Sequence, residues 1–159
     1  MKTRVNEIRR DNIRFVGNDI VLAATMIDKM KTTIDILYYL MNRGEERSFV
    51  FMLVSAKNID LEALLTKEKR DTDILFEINP EESMYAIICQ DTKIDGGYRF
   101  AQRVVRNLTL ERAEDIYCTE LEVRTTSYEI KYIIFKLIET YIKSKQNKKV
   151  GEIIFSTIQ

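Results

Sequence analysis

Residues 48–55 read SFVFMLVS, a continuous apolar run with no charge inside it. So short a run, rich in β-branched and aromatic side chains, is a buried central strand rather than a half-solvated surface element. The rest of the chain must be arranged to cover it. With 159 residues, 45% hydrophobic and 31% charged, there is enough for one domain with a proper core. One proline and five glycines leave little room for linkers or low-complexity stretches.

Upstream of that strand, Ile13, Val16, Ile20, Ala23, Ile27, Met30, Ile34, Leu37 and Met41 alternate by three and four residues, a heptad pattern. Gly17 and Asn18 interrupt it near the start, with Asn18 or Asp19 as the cap of the second part. Residues 42–44 (NRG) read as a helix stop. Two arrangements fit the stripe. One is a parallel coiled-coil stalk pairing two copies; the other is a helix lying on the domain's own sheet, favoured by Met26, Tyr38 and Leu40, which widen the stripe.

Downstream, residues 60–70 form a short helix capped by Asp60 or Asn58. Strands over 73–78 and 84–89 flank a hairpin turn at 79–83 (NPEES). Residues 95–108 form an amphipathic helix with Tyr98, Ala101, Val105 and Leu108 on one face. In the strand 116–124, Ile116, Cys118, Glu120, Glu122 and Arg124 lie on one side and Tyr117, Leu121 and Val123 on the other. A helix over 128–145 and a strand over 150–158 complete the chain. The order predicts an α+β fold: a ferredoxin-like β-α-β-β-α-β core with helices on one side of a mostly antiparallel five-stranded sheet, preceded by a long N-terminal helix. It divides into an N-terminal helical segment (1–44) and a core domain (45–159).

Composition removes whole classes of function. Without histidine there is no Ser-His-Asp or Cys-His catalytic arrangement, no imidazole ligand for zinc and no histidine general base. Cys89 and Cys118 stand at no metal-like spacing and make no disulfide framework, so a reducing cytoplasm is the expected location. No resident cofactor or metal is expected. A formal net charge of zero argues against a nucleic-acid partner. No apolar run approaches the roughly 18 residues of a membrane span, and the first residues do not read as a signal peptide, so no direct membrane insertion is expected.

The stretch 70–106 resembles the centre of GGDEF domains, the diguanylate cyclase family. That family has a strand, the turn G-G-[DE]-E-F, a second strand, a stretch like P-x-T and a helix reading A-E-R-[ILV]-R. Here a strand leads into Asn79-Pro80-Glu81-Glu82-Ser83, the next ends at Gln90-Asp91-Thr92, and the helix reads Phe100-Ala101-Gln102-Arg103-Val104-Val105-Arg106. Residues 140–150 (TYIKSKQNKKV) are similar to the family's terminal A-L-Y-x-A-K-x-x-G-R-N-x-V.

The departures from the family pattern fall on catalysis. Asn79 and Pro80 replace the two glycines that let the backbone approach phosphates, and proline has no N–H to offer. Where the family carries a metal-binding aspartate in D-x-D-x-F-K, this chain has Ser55-Ala56-Lys57-Asn58, while magnesium needs converging oxygen ligands. The resemblance therefore implies a degenerate domain that is not an enzyme.

One motif is kept. Arg70-Asp71-Thr72-Asp73 has the form of the family's R-x-x-D inhibitory site, with residues 74–78 as the spacer before the turn. The resemblance implies that Arg70 and Asp73 bind cyclic di-GMP, with Arg103 as the second arginine. Arginine can donate two N–H bonds to the O6 and N7 edge of guanine, and aspartate can accept from N1 and N2. In this respect the chain is similar to the degenerate receptor domain of Pel-type exopolysaccharide systems. The same residues also read as solvated charges at a helix end and on a helix face. Two functions follow: a cyclic di-GMP receptor module, or an interaction scaffold that has lost nucleotide binding and works as a homodimer, or on another protein, through its N-terminal helix.

Overall fold

The computed structural model describes residues 15–158. Its elements are α1 (Gly17–Asn42), β1 (Phe49–Lys57), α2 (Leu61–Glu68), β2 (Ile74–Asn79), β3 (Met84–Gln90), α3 (Ile94–Leu110), β4 (Glu114–Val123), α4 (Ile130–Gln146) and β5 (Ile153–Ile158). The sheet order is β2-β3-β1-β4-β5, antiparallel throughout except for the β4–β5 pair. This is the α+β, ferredoxin-type arrangement that the element order predicts.

β1 is central, and both its faces are dry. Phe49, Phe51 and Leu53 face a core shared with α1 and α4, while Val50, Met52 and Val54 face one shared with α2 and α3. All six are fully buried. The two helices of the ferredoxin-like core thus share one side of the sheet, as expected, and α1 with α4 cover the other. An eight-residue apolar run leaves no face for water, which is why both layers are needed.

The N-terminal stripe divides along its length. Ala23, Met26, Met30, Ile34 and Leu37 are buried in the chain's own core, so this part of the helix lies on its own sheet. Val16 and Ile20 of the same stripe remain 58% and 55% exposed; Ile13 lies outside the described residues. α1 begins at Gly17 rather than breaking there, and Asp19 accepts the Val16 N–H at 3.0 Å. Its end is the expected one: Gly44 at φ 78° closes the helix, with the Glu45 N–H on the Leu40 carbonyl at 2.9 Å.

α2 is capped by Asp60, whose carboxylate accepts the Ala63 N–H at 3.1 Å. The buried face of α3 is Gly97, Phe100, Ala101, Val104 and Leu108, one residue round from the predicted one: Val104 replaces Val105, and Tyr98 stands at the edge against Phe155. Gly97 sets that rotation, because a Cβ there would come within 2.9 Å of both Val50 γ-methyls. β4 alternates as predicted, with Tyr117, Leu121 and Val123 toward α1 and α4 and Ile116 and Cys118 toward α2 and α3. Among the described residues, no helix is long and apolar enough to cross a membrane.

Candidate functional site

α2 ends at Glu68, and residues 70–73 turn the chain into β2, with the Asp73 N–H on the Arg70 carbonyl at 3.0 Å. The carboxylate of Asp73 is only 1% exposed. Burying a charge is costly unless it is paired and fully hydrogen-bonded, and here it is both. Oδ2 accepts the Arg70 backbone N–H at 2.8 Å, and Oδ1 accepts from Nε and Nη2 of the same arginine at 3.1 and 2.8 Å. That hydrogen bond to Asp73 pushes the Arg70 pKa up from its ordinary value, against the opposing effect of burial.

Nη2 of Arg70 also donates to the Gln90 carbonyl at 3.0 Å and to the Thr92 hydroxyl at 2.8 Å. Thr92 in turn donates to the same Gln90 carbonyl at 2.8 Å. Arg70 therefore ties the entry of β2 to the exit of β3.

α3 brings the third residue. Its first N–H, at Ile94, donates to the buried Glu122 of β4 at 2.8 Å, and Glu122 also accepts from the Thr157 hydroxyl at 3.0 Å. A carboxylate at a helix start satisfies an orphan donor and complements the dipole, so α3 is fixed to the sheet where it begins. Nine residues on, the Arg103 guanidinium lies over the Phe100 ring at 5.4 Å and pairs with Glu68 of α2 at 3.6 Å.

Arg70, Asp73 and Arg103 line one cavity of about 120 Å³, together with Cys89, Thr92, Gly96 and Phe100. Arg99 and Arg106 are not among its walls. The side chains of Arg70 and Arg103 are half exposed at the rim, 52% and 44%, and Asp73 is sealed beneath them. Ligand pockets usually enclose about 300 Å³ or more, so this one admits an edge of a larger molecule and leaves the rest at the surface. Thr92 falls in the stretch similar to the family's P-x-T, whereas Cys89 and Gly96 carry no sequence signal of their own; only the fold brings them here.

The β2–β3 turn uses its N–H groups internally. Pro80 has no N–H, the Glu81 and Glu82 N–H groups donate to the Asn79 side chain at 3.1 and 3.3 Å, and the Ser83 N–H donates to the Pro80 carbonyl at 3.2 Å. At the end of β1, Ser55 shares a buried hydrogen bond of 2.5 Å with the Tyr141 hydroxyl, and Asn58 donates to the Glu114 carboxylate. Lys57 reaches across to Glu82 at 3.5 Å. A groove of about 550 Å³ beside this turn is rimmed by Asp19, Glu81 and Glu82 against the single base Lys145, an acidic setting for a polyphosphate. Among the described residues, no three Cys, Asp or Glu side chains converge as metal ligands would.

No family model and no curated protein matches the chain. Solved structures do. The active GGEEF domain of a diguanylate cyclase from Vibrio cholerae superimposes with a TM-score of 0.64 at 12% identity, over 83% of this chain and 97% of that one. The FimX GGDEF domain from Pseudomonas aeruginosa gives 0.59 at 8% identity, over 81% and 92%. The coiled coil and GGDEF domain of DgcB from Caulobacter crescentus, solved in complex with c-di-GMP, gives 0.61 at 7% identity, over 98% and 91%. The chain has the fold of a GGDEF domain.

Proposed function

We propose that the chain is a catalytically inactive GGDEF-type module that binds cyclic di-GMP through Arg70, Asp73 and Arg103. The observation that carries this reading is that three residues from two separate elements, Arg70 and Asp73 of the α2–β2 turn and Arg103 of α3, line one cavity. Arg70 supplies a guanidinium edge for O6 and N7 of guanine, and Arg103 supplies a second cation for the ligand's phosphate or its other base. Asp73 accepts from N1 and N2 once the Arg70 side chain turns from it toward the ligand, one set of charge-assisted bonds exchanging for another.

The turn and Lys57 support the inactive reading. Every turn N–H from residue 81 to 83 is spent inside the protein, Pro80 has none, and a lysine ammonium, not a metal-binding aspartate, stands near Glu82 at the end of β1. The cyclase activity of the Vibrio cholerae neighbour stays with that neighbour.

A second reading, an interaction scaffold without a nucleotide, is favoured by one observation: Nε and Nη2 of Arg70 are already fully engaged by Asp73, Gln90 and Thr92. Calorimetric titration with cyclic di-GMP separates the two. Binding weakened by Arg70→Ala supports the receptor; no heat at high micromolar ligand leaves the scaffold.

A further inference from the structure

The outward face of the α1–α4 layer carries more aromatic surface than a solvated face needs. Tyr128, Tyr132 and Phe135 are 38%, 47% and 40% exposed, and Ile20 of α1 lies beside them. The rings are already ordered. Tyr128 and Tyr132 stack at 5.0 Å, and Phe135 meets Phe15 edge-on at 5.8 Å. Between Phe15, Ile20, Tyr132 and Phe135 runs an apolar groove of about 430 Å³, with Lys136 and Glu139 at its edge. Ordered rings flanking an apolar groove lose little conformational freedom on contact, which favours association.

The charges along α4 indicate what covers this face. Along α4, Lys131 stands four residues before Phe135 and Glu139 four residues after it. A two-fold axis through Phe135 running perpendicular to the helix brings each Lys131 opposite the partner's Glu139, twice per dimer, with Phe135 against Phe135. A parallel pairing would set lysine against lysine. An isologous contact requires a self-complementary patch, and this one has it. The face also balances Lys131 and Lys136 with Glu129 and Glu139, whereas nucleic acid or an anionic membrane selects a cationic excess.

We propose that the occupant of this face is a second copy of the chain, packed antiparallel on α4 about Phe135. The association surface is thus the outer seam of α1 and α4, since Ala23, Met30, Ile34 and Leu37 of the heptad stripe are consumed by the chain's own core.

Sedimentation velocity of the full chain over a range of concentrations tests this, with circular dichroism melts to check that each variant folds. The wild type should be in a monomer–dimer equilibrium at micromolar concentration. Phe135→Glu should weaken the dimer about thirtyfold or more. Lys131→Glu and Glu139→Lys should each weaken it several-fold, and the double variant should restore it, because the swapped charges meet again across the axis. A wild type that stays monomeric at high micromolar concentration, with the face covered by residues 1–14 or kept for another protein, would overturn the proposal. So would a dimer indifferent to Phe135→Glu, or a double variant no better than the single ones. Cyclic di-GMP binding does not enter any of these readouts.

Discussion

The ammonium of Lys57 stands 3.5 Å from the carboxylate of Glu82, joining the end of β1 to the β2–β3 turn. Both side chains are about half exposed, so the pair contributes little to stability. Its bearing is on the proposed inactivity: a lysine, not a carboxylate, stands beside the turn at the end of β1. The expected outcome is that incubation with GTP and magnesium or manganese yields no cyclic di-GMP above a protein-free control. Lys57→Asp alone should not create activity, since the turn still has no N–H to offer. Product that scales with protein concentration would refute this.

For the proposed ligand site, removing one member of a recognition pair whose carboxylate is buried costs more than its own bond, because the partner is left unsatisfied. Arg70→Ala and Asp73→Ala should each weaken cyclic di-GMP by about 2 kcal/mol, roughly thirtyfold. Thr92→Val should weaken it less and Thr92→Ser hardly at all, since only the hydroxyl steers Arg70. Arg106→Ala should be near neutral, as Arg106 is absent from the cavity wall. Calorimetry on the set gives the ranking. An Arg106→Ala effect equal to that of Arg103→Ala would reassign the second arginine.

The two glycines that open α3 should respond in opposite directions. At Gly97 a methyl would press on Val50, a β-branched side chain held in the central strand, within 2.9 Å of both γ-methyls. Gly97→Ala should cost about 1–3 kcal/mol through overpacking. At Gly96 the same methyl meets only the Thr92 methyl at 3.4 Å. Gly96→Ala should therefore stabilise by up to about 1 kcal/mol through helix propensity, while narrowing the cavity that Gly96 lines. Urea melts decide it; equal signs at the two positions would contradict the packing described here.

These outcomes show what a sequence can and cannot disclose. The apolar run of β1 pointed to the central strand, because it is short, uninterrupted by charge and rich in β-branched and aromatic residues. α3 was misread by one residue because its closest approach to the sheet is made by Gly97, which carries no hydrophobic weight in any periodicity. The α1 stripe was ambiguous because Ala23 and Ile20 fit the same heptad, though one is buried and the other exposed. Arg70 and Asp73 were legible as a local motif, and Arg103 through family likeness. Cys89 and Gly96 were not, since they meet only where β3 and α3 come together.

Glu120 supplies the last prediction. It lies on β4 between Met52 of β1 and Phe155 of β5, fully buried, with neither carboxylate oxygen bonded to any described residue. Burial pushes its pKa up from 4.5 to about 9, so it is a neutral acid at pH 7. Burial raises Cys89 and Cys118 as well, and they too stay neutral. Glu122, two residues along, is satisfied by Ile94 and Thr157. Below about pH 4.5 Glu120 is protonated in both the folded and unfolded states, and its stabilising preference for the folded state is intact. Between roughly pH 4.5 and 9 the unfolded chain releases this proton while the folded one keeps it, so stability falls as pH rises; above 9 the loss is complete. The size is on the order of a few kcal/mol. Glu120→Gln removes the titration and keeps the shape. Urea melts at pH 5 and 8.5 should show wild type losing stability across the interval and the variant losing much less, with the variant the more stable at 8.5. A wild-type profile flat between those two values would mean that Glu120 is not held as a neutral acid.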